Sequence, residues 1–214
     1  MSKTEQVSNS FALYVVLTVA GGFLDAYSYV VRGGVFANTQ TGNVVQCGMA
    51  LMNGDLFSCF RYLFSILTFT LGIFLVVYVR DIRHIQGLHW RQETVLIEAA
   101  ILLIVAFLPE AHNTIANTLI AFACGIQLQT FRKVGEYTFT TTMATGNLRS
   151  FAYALVYSLN TGEEYYAKRA TLVGSLLLVF MLGAGLGGIF SRMMGVQAVM
   201  IPCALLVISI VAMR

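Results

Sequence analysis

Thr41-Gly42-Asn43 and Thr145-Gly146-Asn147 are the same tripeptide written twice inside apolar sequence, 104 residues apart in a chain of 214. Keeping that register places Gly21 on Gly125, Leu24 on Leu128, Val30 on Val134, Tyr27 on Phe131, Asp25 on Gln129, Ala50 on Ala154 and Leu51 on Leu155. No gap is needed between residues 20 and 52. A match at half the chain length reads as an internal duplication. Where duplicated halves each carry an interrupted apolar segment, the interruptions point to a site near the midplane of a membrane.

The composition supplies the membrane. Hydrophobic residues make up 57% of the chain and charged residues 11%, against roughly 25% charged in an ordinary soluble domain. Apolar runs cover Tyr14–Val31, Tyr62–Val79, Thr94–Leu108, Thr114–Phe131, Ala170–Phe190 and Val196–Met213. They are apolar all round, whereas the strands of a membrane barrel alternate at period two. The expected fold is an all-α polytopic membrane protein, a helical bundle forming one transmembrane domain over 1–214, with halves at about 11–108 and 114–213. Only Lys3, offset by Glu5, precedes the first run, so that run reads as a span rather than a cleaved signal.

The same inventory argues against several functions. A net charge of +3 describes loops at a bilayer surface and implies no nucleic-acid partner. The three histidines, His84, His89 and His112, fall in or beside loops, so no metal centre or cofactor is implied. No G-x-S-x-G elbow, H-E-x-x-H helix or P-loop is present, and an enzyme is not expected. Cys47, Cys59, Cys124 and Cys203 lack C-x-x-C spacing and read as small apolar filler.

Each half carries four hydrophobic segments, and the second is the odd one. Val35–Asn53 and Phe139–Leu159 are rich in Asn, Thr and Gln, and each holds one Thr-Gly-Asn. After the first tripeptide only Val44–Met52 remains, nine residues, or about 14 Å of helix and half a bilayer. Such a segment either re-enters or just spans. Basic residues favour re-entry, because Lys and Arg prefer the cytoplasmic side. With both odd segments re-entrant, Lys3, Arg80, Arg83, Arg91, Arg132, Lys133, Lys168, Arg169 and Arg214 share one side, and Arg32, Arg61 and Arg192 the other. Three crossings per half then make the halves inverted repeats. Pro109 falls where the third span ends, and Pro202 is expected to kink the last one.

One face of the first span is polar: Tyr14, Thr18, Gly21, Asp25, Ser28 and Arg32, at helical spacing. Its duplicate, Thr118, Phe122, Gly125, Gln129, Arg132 and Glu136, is weaker. Lipid does not hydrate such groups, so the face is either a packing seam or a solute-facing wall. Asp25 is costly inside a span and survives by pairing, protonation or contact with water. Arg149 offers it a partner across the halves, or attracts an anion at the break. Thr41, Asn43, Thr145 and Asn147 supply groups that either close the backbone at the breaks or meet a solute, and Asn38 lies just upstream. Glu98 reads as lying near a helix end. Gly183-x-x-x-Gly187 reads as close helix packing, internal or in a homo-oligomer.

The strings Gly21-Gly22-Phe23-Leu24-Asp25-Ala26-Tyr27-Ser28-Tyr29, Gly34-Val35-Phe36-Ala37-Asn38 and Gln40-Thr41-Gly42-Asn43, with the later Thr145-Gly146-Asn147, resemble the YoaK-like family of bacterial integral membrane proteins. The resemblance implies a multi-pass protein of the bacterial inner membrane and supplies no substrate or site residues. The residues themselves suggest a small-solute or ion channel or transporter, with the lipid bilayer as partner and Asp25, Asn38, Thr41, Asn43, Gln129, Thr145, Asn147 and Arg149 as binding or pore residues. The alternative is a non-transporting assembly or regulatory protein whose polar stripes are packing surfaces.

Overall fold

Gly33 and Gly34 adopt φ of 91° and 73°, a backbone region nearly closed to other residues, and here the first helix ends. The structure, a computed structural model, describes residues 11–81, 89–134 and 136–213. In the first half α1 spans Phe11–Val31, α2 Gln40–Met52, α3 Leu56–Asp81 and α4 Trp90–Ala106. In the second, α5 spans Asn113–Thr130, α6 Thr145–Thr161, α7 Glu164–Met194 and α8 Met200–Ala212. Lys133–Val134 and Tyr137–Thr138 form a small antiparallel hairpin, β1 and β2, after α5. Among the described residues, three helices are long and apolar enough to cross a membrane: Phe11–Val31, Leu56–Asp81 and the run Glu164–Val211.

The order helix, short helix, long helix, helix thus occurs twice, and the packing repeats with it. Each short helix lies on its own long helix, α2 on α3 and α6 on α7. Each first helix packs on the long helix of the other half, α1 on α7 and α5 on α3, while α4 meets α5 as α8 meets α1. Glycines let the swapped pairs touch backbone to backbone. A Cβ at Gly22 would overlap the Phe180 carbonyl, and one at Gly183 the Val19 backbone. Likewise a Cβ at Gly125 would overlap the Phe69 carbonyl, and one at Gly72 the Phe122 carbonyl. These are the same contact made twice: Gly22 and Gly125 are 103 apart, as are Val19 and Phe122, while Phe69 and Phe180 are 111 apart, as are Gly72 and Gly183. The first helices are therefore displaced by one residue from the 104 register, and seven extra residues lie between Asn147 and Gly183. Gly183 and Gly187 seat on Val19 and Phe23 of α1, which makes that glycine pair an internal contact.

Helices α1 and α5 run antiparallel. The Tyr14 hydroxyl, near the start of α1, bonds to the Lys133 backbone just beyond α5. At the opposite end Arg32 donates to Asn113 at the start of α5 (3.3 Å). Arg32 is fully buried and is not a loop cation. Its guanidinium also donates to the Val105 and Leu108 carbonyls at and just beyond the end of α4 (2.8 and 2.9 Å) and to the Tyr27 hydroxyl (2.8 Å). Pro202 falls in the first turn of α8, after a 3-10 segment Gly195–Val199, where a missing N–H costs little. The expected kink is absorbed there.

Candidate functional site

After Gly33-Gly34 the chain doubles back along α1, and the polar face of that helix holds it. Ser28 Oγ accepts from the Ala37 N–H (3.2 Å). The Asn38 N–H reaches the Asp25 carboxylate. The Asn38 side chain donates to the Gly21 carbonyl (3.3 Å) and accepts from the Cys124 thiol of α5. Residues 28, 25 and 21 step inward along α1, so the loop carries its polar atoms from the end of the helix to its middle.

The loop after α5 arrives at the same place. The Thr141 carbonyl lies where a Cβ of Gly21 would stand. Gln127 Nε2 donates to Thr141 Oγ1 and to the Leu17 carbonyl, both at 2.9 Å. In the 104 register Asn38 corresponds to Thr142, and Ala37 to Thr141. The two fold-back loops therefore meet on Gly21, in the middle of the α1–α5 pair, through duplicated positions.

Buried polar atoms without partners gather around this junction: Thr18 Oγ1, Asp25 Oδ1, Gln127 Oε1, Thr142 Oγ1 and both carboxylate oxygens of Glu98. Asp25 is 8% exposed, and Glu98 is fully buried. Cys124 stands within electrostatic reach of both carboxylates, and Cys203 of α8 within reach of Glu98. Glu98 is not near a helix end: α4 begins at Trp90, behind a His89–Gln92 capping box, which puts Glu98 at mid-helix. The apolar run starting at Thr94 concealed this, and the capping box was the available signal. Gln127 rather than Gln129 reaches the centre, and Gln129, one residue before the end of α5, lines a cavity at the basic end.

The Thr-Gly-Asn turns themselves lie elsewhere. Each opens a helix packed on the outside of its own half. Thr41 and Thr145 are exposed, and on both short helices the buried residues are one Asn and one Ala, Asn43 with Ala50 and Asn147 with Ala154. Asn43 donates to Gln40 and to Ser65 of α3 (3.0 and 3.1 Å). Asn147 donates to the Thr140 and Met143 carbonyls (both 2.7 Å) and accepts from the Thr140 N–H (3.1 Å). Gly42 and Gly146 have ordinary φ and open space where a Cβ would be, so the reversal depends on Gly33-Gly34 instead. Arg149 is exposed and lines a groove of about 490 Å³ with Asn147, Ser150, Tyr153 and Arg169, apart from Asp25. Gln129 lines a second cavity of about 310 Å³ at the basic end of the molecule with Arg80, Trp90, Arg91, Arg132 and Lys133. Of the residues expected at the site, the structure brings Asp25 and Asn38 to the centre and leaves Thr41, Asn43, Gln129, Thr145, Asn147 and Arg149 outside it.

Among the described residues no group of three or more His, Cys, Asp or Glu is placed to hold a metal ion. No curated protein and no solved structure matches the chain. A family model does match, over residues 13–212. The chain therefore belongs to the family described as protein of unknown function (DUF1275), which includes the YoaK-like proteins.

Proposed function

We propose that the protein is a carrier of a small polar or ionic solute in the bacterial inner membrane, built from two inverted repeats. Each repeat has three crossing helices and one re-entrant short helix. The antiparallel course of α1 and α5, joined by Tyr14–Lys133 at one end and Arg32–Asn113 at the other, supports the inversion. The basic residues Arg80, Arg91, Arg132 and Lys133 gather where α3 ends, α4 begins and α5 ends, which argues for that end facing the cytoplasm.

The observation that carries the transport reading is the junction on Gly21. Fold-back loops from both halves converge there beside two carboxylates that have no cationic partner among the described residues. Irregular backbone at membrane depth is tolerated where it is buried in protein or lines a path, and intramembrane carboxylates mark ion or proton routes. Burial of Asp25, Asn38 and Glu98 favours a carrier that opens alternately over a continuously open channel.

The test is flux in proteoliposomes across a panel of small polar and ionic solutes, with and without a pH gradient. Asn38→Ala and Glu98→Gln are expected to abolish flux while the protein still inserts and remains monodisperse. Flux from the unaltered protein no greater than from empty vesicles for every solute would remove the reading. An assembly or regulatory role is favoured by one observation: Asn43 and Asn147 direct their amides to protein partners, Gln40 and Ser65 for the first and Thr140 and Met143 for the second.

A further inference from the structure

We propose that Cys47 and Cys59 are a disulfide-forming pair that locks the first short helix onto α3. The proposal rests on the orientation given above, which puts the α2–α3 hairpin on the side opposite the cytoplasm. Their Sγ atoms lie 3.3 Å apart, and the Cys47 thiol also points at the Cys59 carbonyl (3.5 Å). Both side chains are half-buried, one on each limb of the hairpin. The limbs are fixed on either side of the pair. Below it, Asn43 donates to Ser65 (3.1 Å). Above it, the hairpin turns at Gly54, with φ of 74°. A disulfide needs a separation of about 2.05 Å, so the two sulfur atoms have little more than about 1 Å to close.

The compartment decides whether the bond forms. Disulfides persist in the bacterial periplasm and are rare in the cytosol. The hairpin turn lies at the Arg32 end, because the start of α3 meets the start of α5: Arg61 and Thr114 line one cavity. The chemistry is thiol–disulfide exchange with a disulfide-bearing oxidant. One cysteine thiolate attacks the donor disulfide and releases one donor thiolate. The other cysteine thiolate then attacks the mixed disulfide and releases the second. The two cysteines lose their protons and two electrons, and the donor leaves as two thiols. The second half has no equivalent lock. Phe151, 104 residues after Cys47, packs on Gly174, and Ala170 stands 111 residues after Cys59.

Full-length protein isolated from cells without reductant, then denatured and alkylated with a mass-tagged maleimide, reads the bond directly. Two of the four cysteines are expected to be blocked before reduction and none after it. Cys47→Ser is expected to carry three labels under both conditions. Four labels before reduction, or a blocked pair persisting in Cys47→Ser, overturns the proposal. Where four labels are found, oxidised glutathione added to the native protein of the same preparation before denaturation and alkylation identifies the failure. Cross-linking only at that stage places the hairpin in a reducing compartment and removes the orientation as well. No cross-linking means that the thiols do not meet. Transport is scored separately by flux, so either result leaves that reading to its own test.

Discussion

At the scale of single residues, charge and hydrogen bonding separate stability from function. Arg32 satisfies two helix-end carbonyls and the Tyr27 hydroxyl in a fully buried position. Arg32→Met is expected to cost on the order of 3 kcal/mol, because it strands those partners without solvent, and to appear as a lowered melting temperature in detergent. Glu98→Gln keeps the shape and removes only the ability to ionise. It should leave the melting temperature nearly unchanged while abolishing flux with or without a pH gradient. Asn43→Ala and Asn147→Ala are each expected to cost about 1 kcal/mol of stability, the first by removing hydrogen bonds to Gln40 and to Ser65 of α3, the second by removing those to Thr140 and Met143. Asp55 belongs to the surface. It accepts from the Ser58 N–H at 3.0 Å, at the start of α3, and these Ser58 hydrogen bonds hold its carboxyl below the ordinary carboxylate range. A lowered folded-state value stabilises the protein above the ordinary carboxylate pKa, and that contribution disappears as pH falls through the lowered value. The stability difference between the unaltered protein and Asp55→Ala should therefore be present at neutral pH and vanish in acid.

At the scale of elements, glycine position matters more than glycine count. Gly22 and Gly125 sit under a carbonyl of the opposing long helix. Gly22→Ala and Gly125→Ala must push those helices apart and are expected to lower thermal stability and yield. Gly42→Ala and Gly146→Ala meet open space with ordinary φ, and each should be neutral or stabilising by up to about 1 kcal/mol through helix propensity. Equal damage from all four substitutions would contradict the division between seam glycines and turn glycines. The polar face of α1 shows the same logic for a whole helix. Its spacing announced that one side avoids lipid, and that side turned out to be the track on which residues 32–39 fold back.

At the scale of the whole molecule, orientation is the decisive quantity. Single cysteines introduced at Gly54 and Gly162, each a hairpin turn with positive φ, are expected to react with an impermeant maleimide from opposite sides of the membrane. Labelling of both from one side would end the inverted-repeat reading. Arg32 is unsuitable for such a map because it is buried. Much of this architecture was legible in the sequence. The tripeptide spacing gave matching burial at Asn43 and Asn147 and at Ala50 and Ala154, because a duplicated helix keeps its buried face. The site was only half legible. Asp25 and Asn38 could be read from a stripe and its neighbouring loop, whereas Glu98, Gln127 and Thr142 join the centre through tertiary folding. No local period records where a returning loop will stop, and the Thr-Gly-Asn turns lie a few residues past the place where the loops meet.

The seven residues added before Gly183 have a consequence for how this chain tolerates change in length. They are shared between the two antiparallel limbs of the second hairpin: α6 has 17 residues against 13 in α2, and Gly183 is the 20th residue of α7 where Gly72 is the 17th of α3. Three or four residues on each limb lengthen the hairpin by about 5 Å while both limbs still end level with one another. A residue added to one limb alone has no counterpart on the other, so length differences in this hairpin among relatives should fall in near-equal amounts on its two limbs.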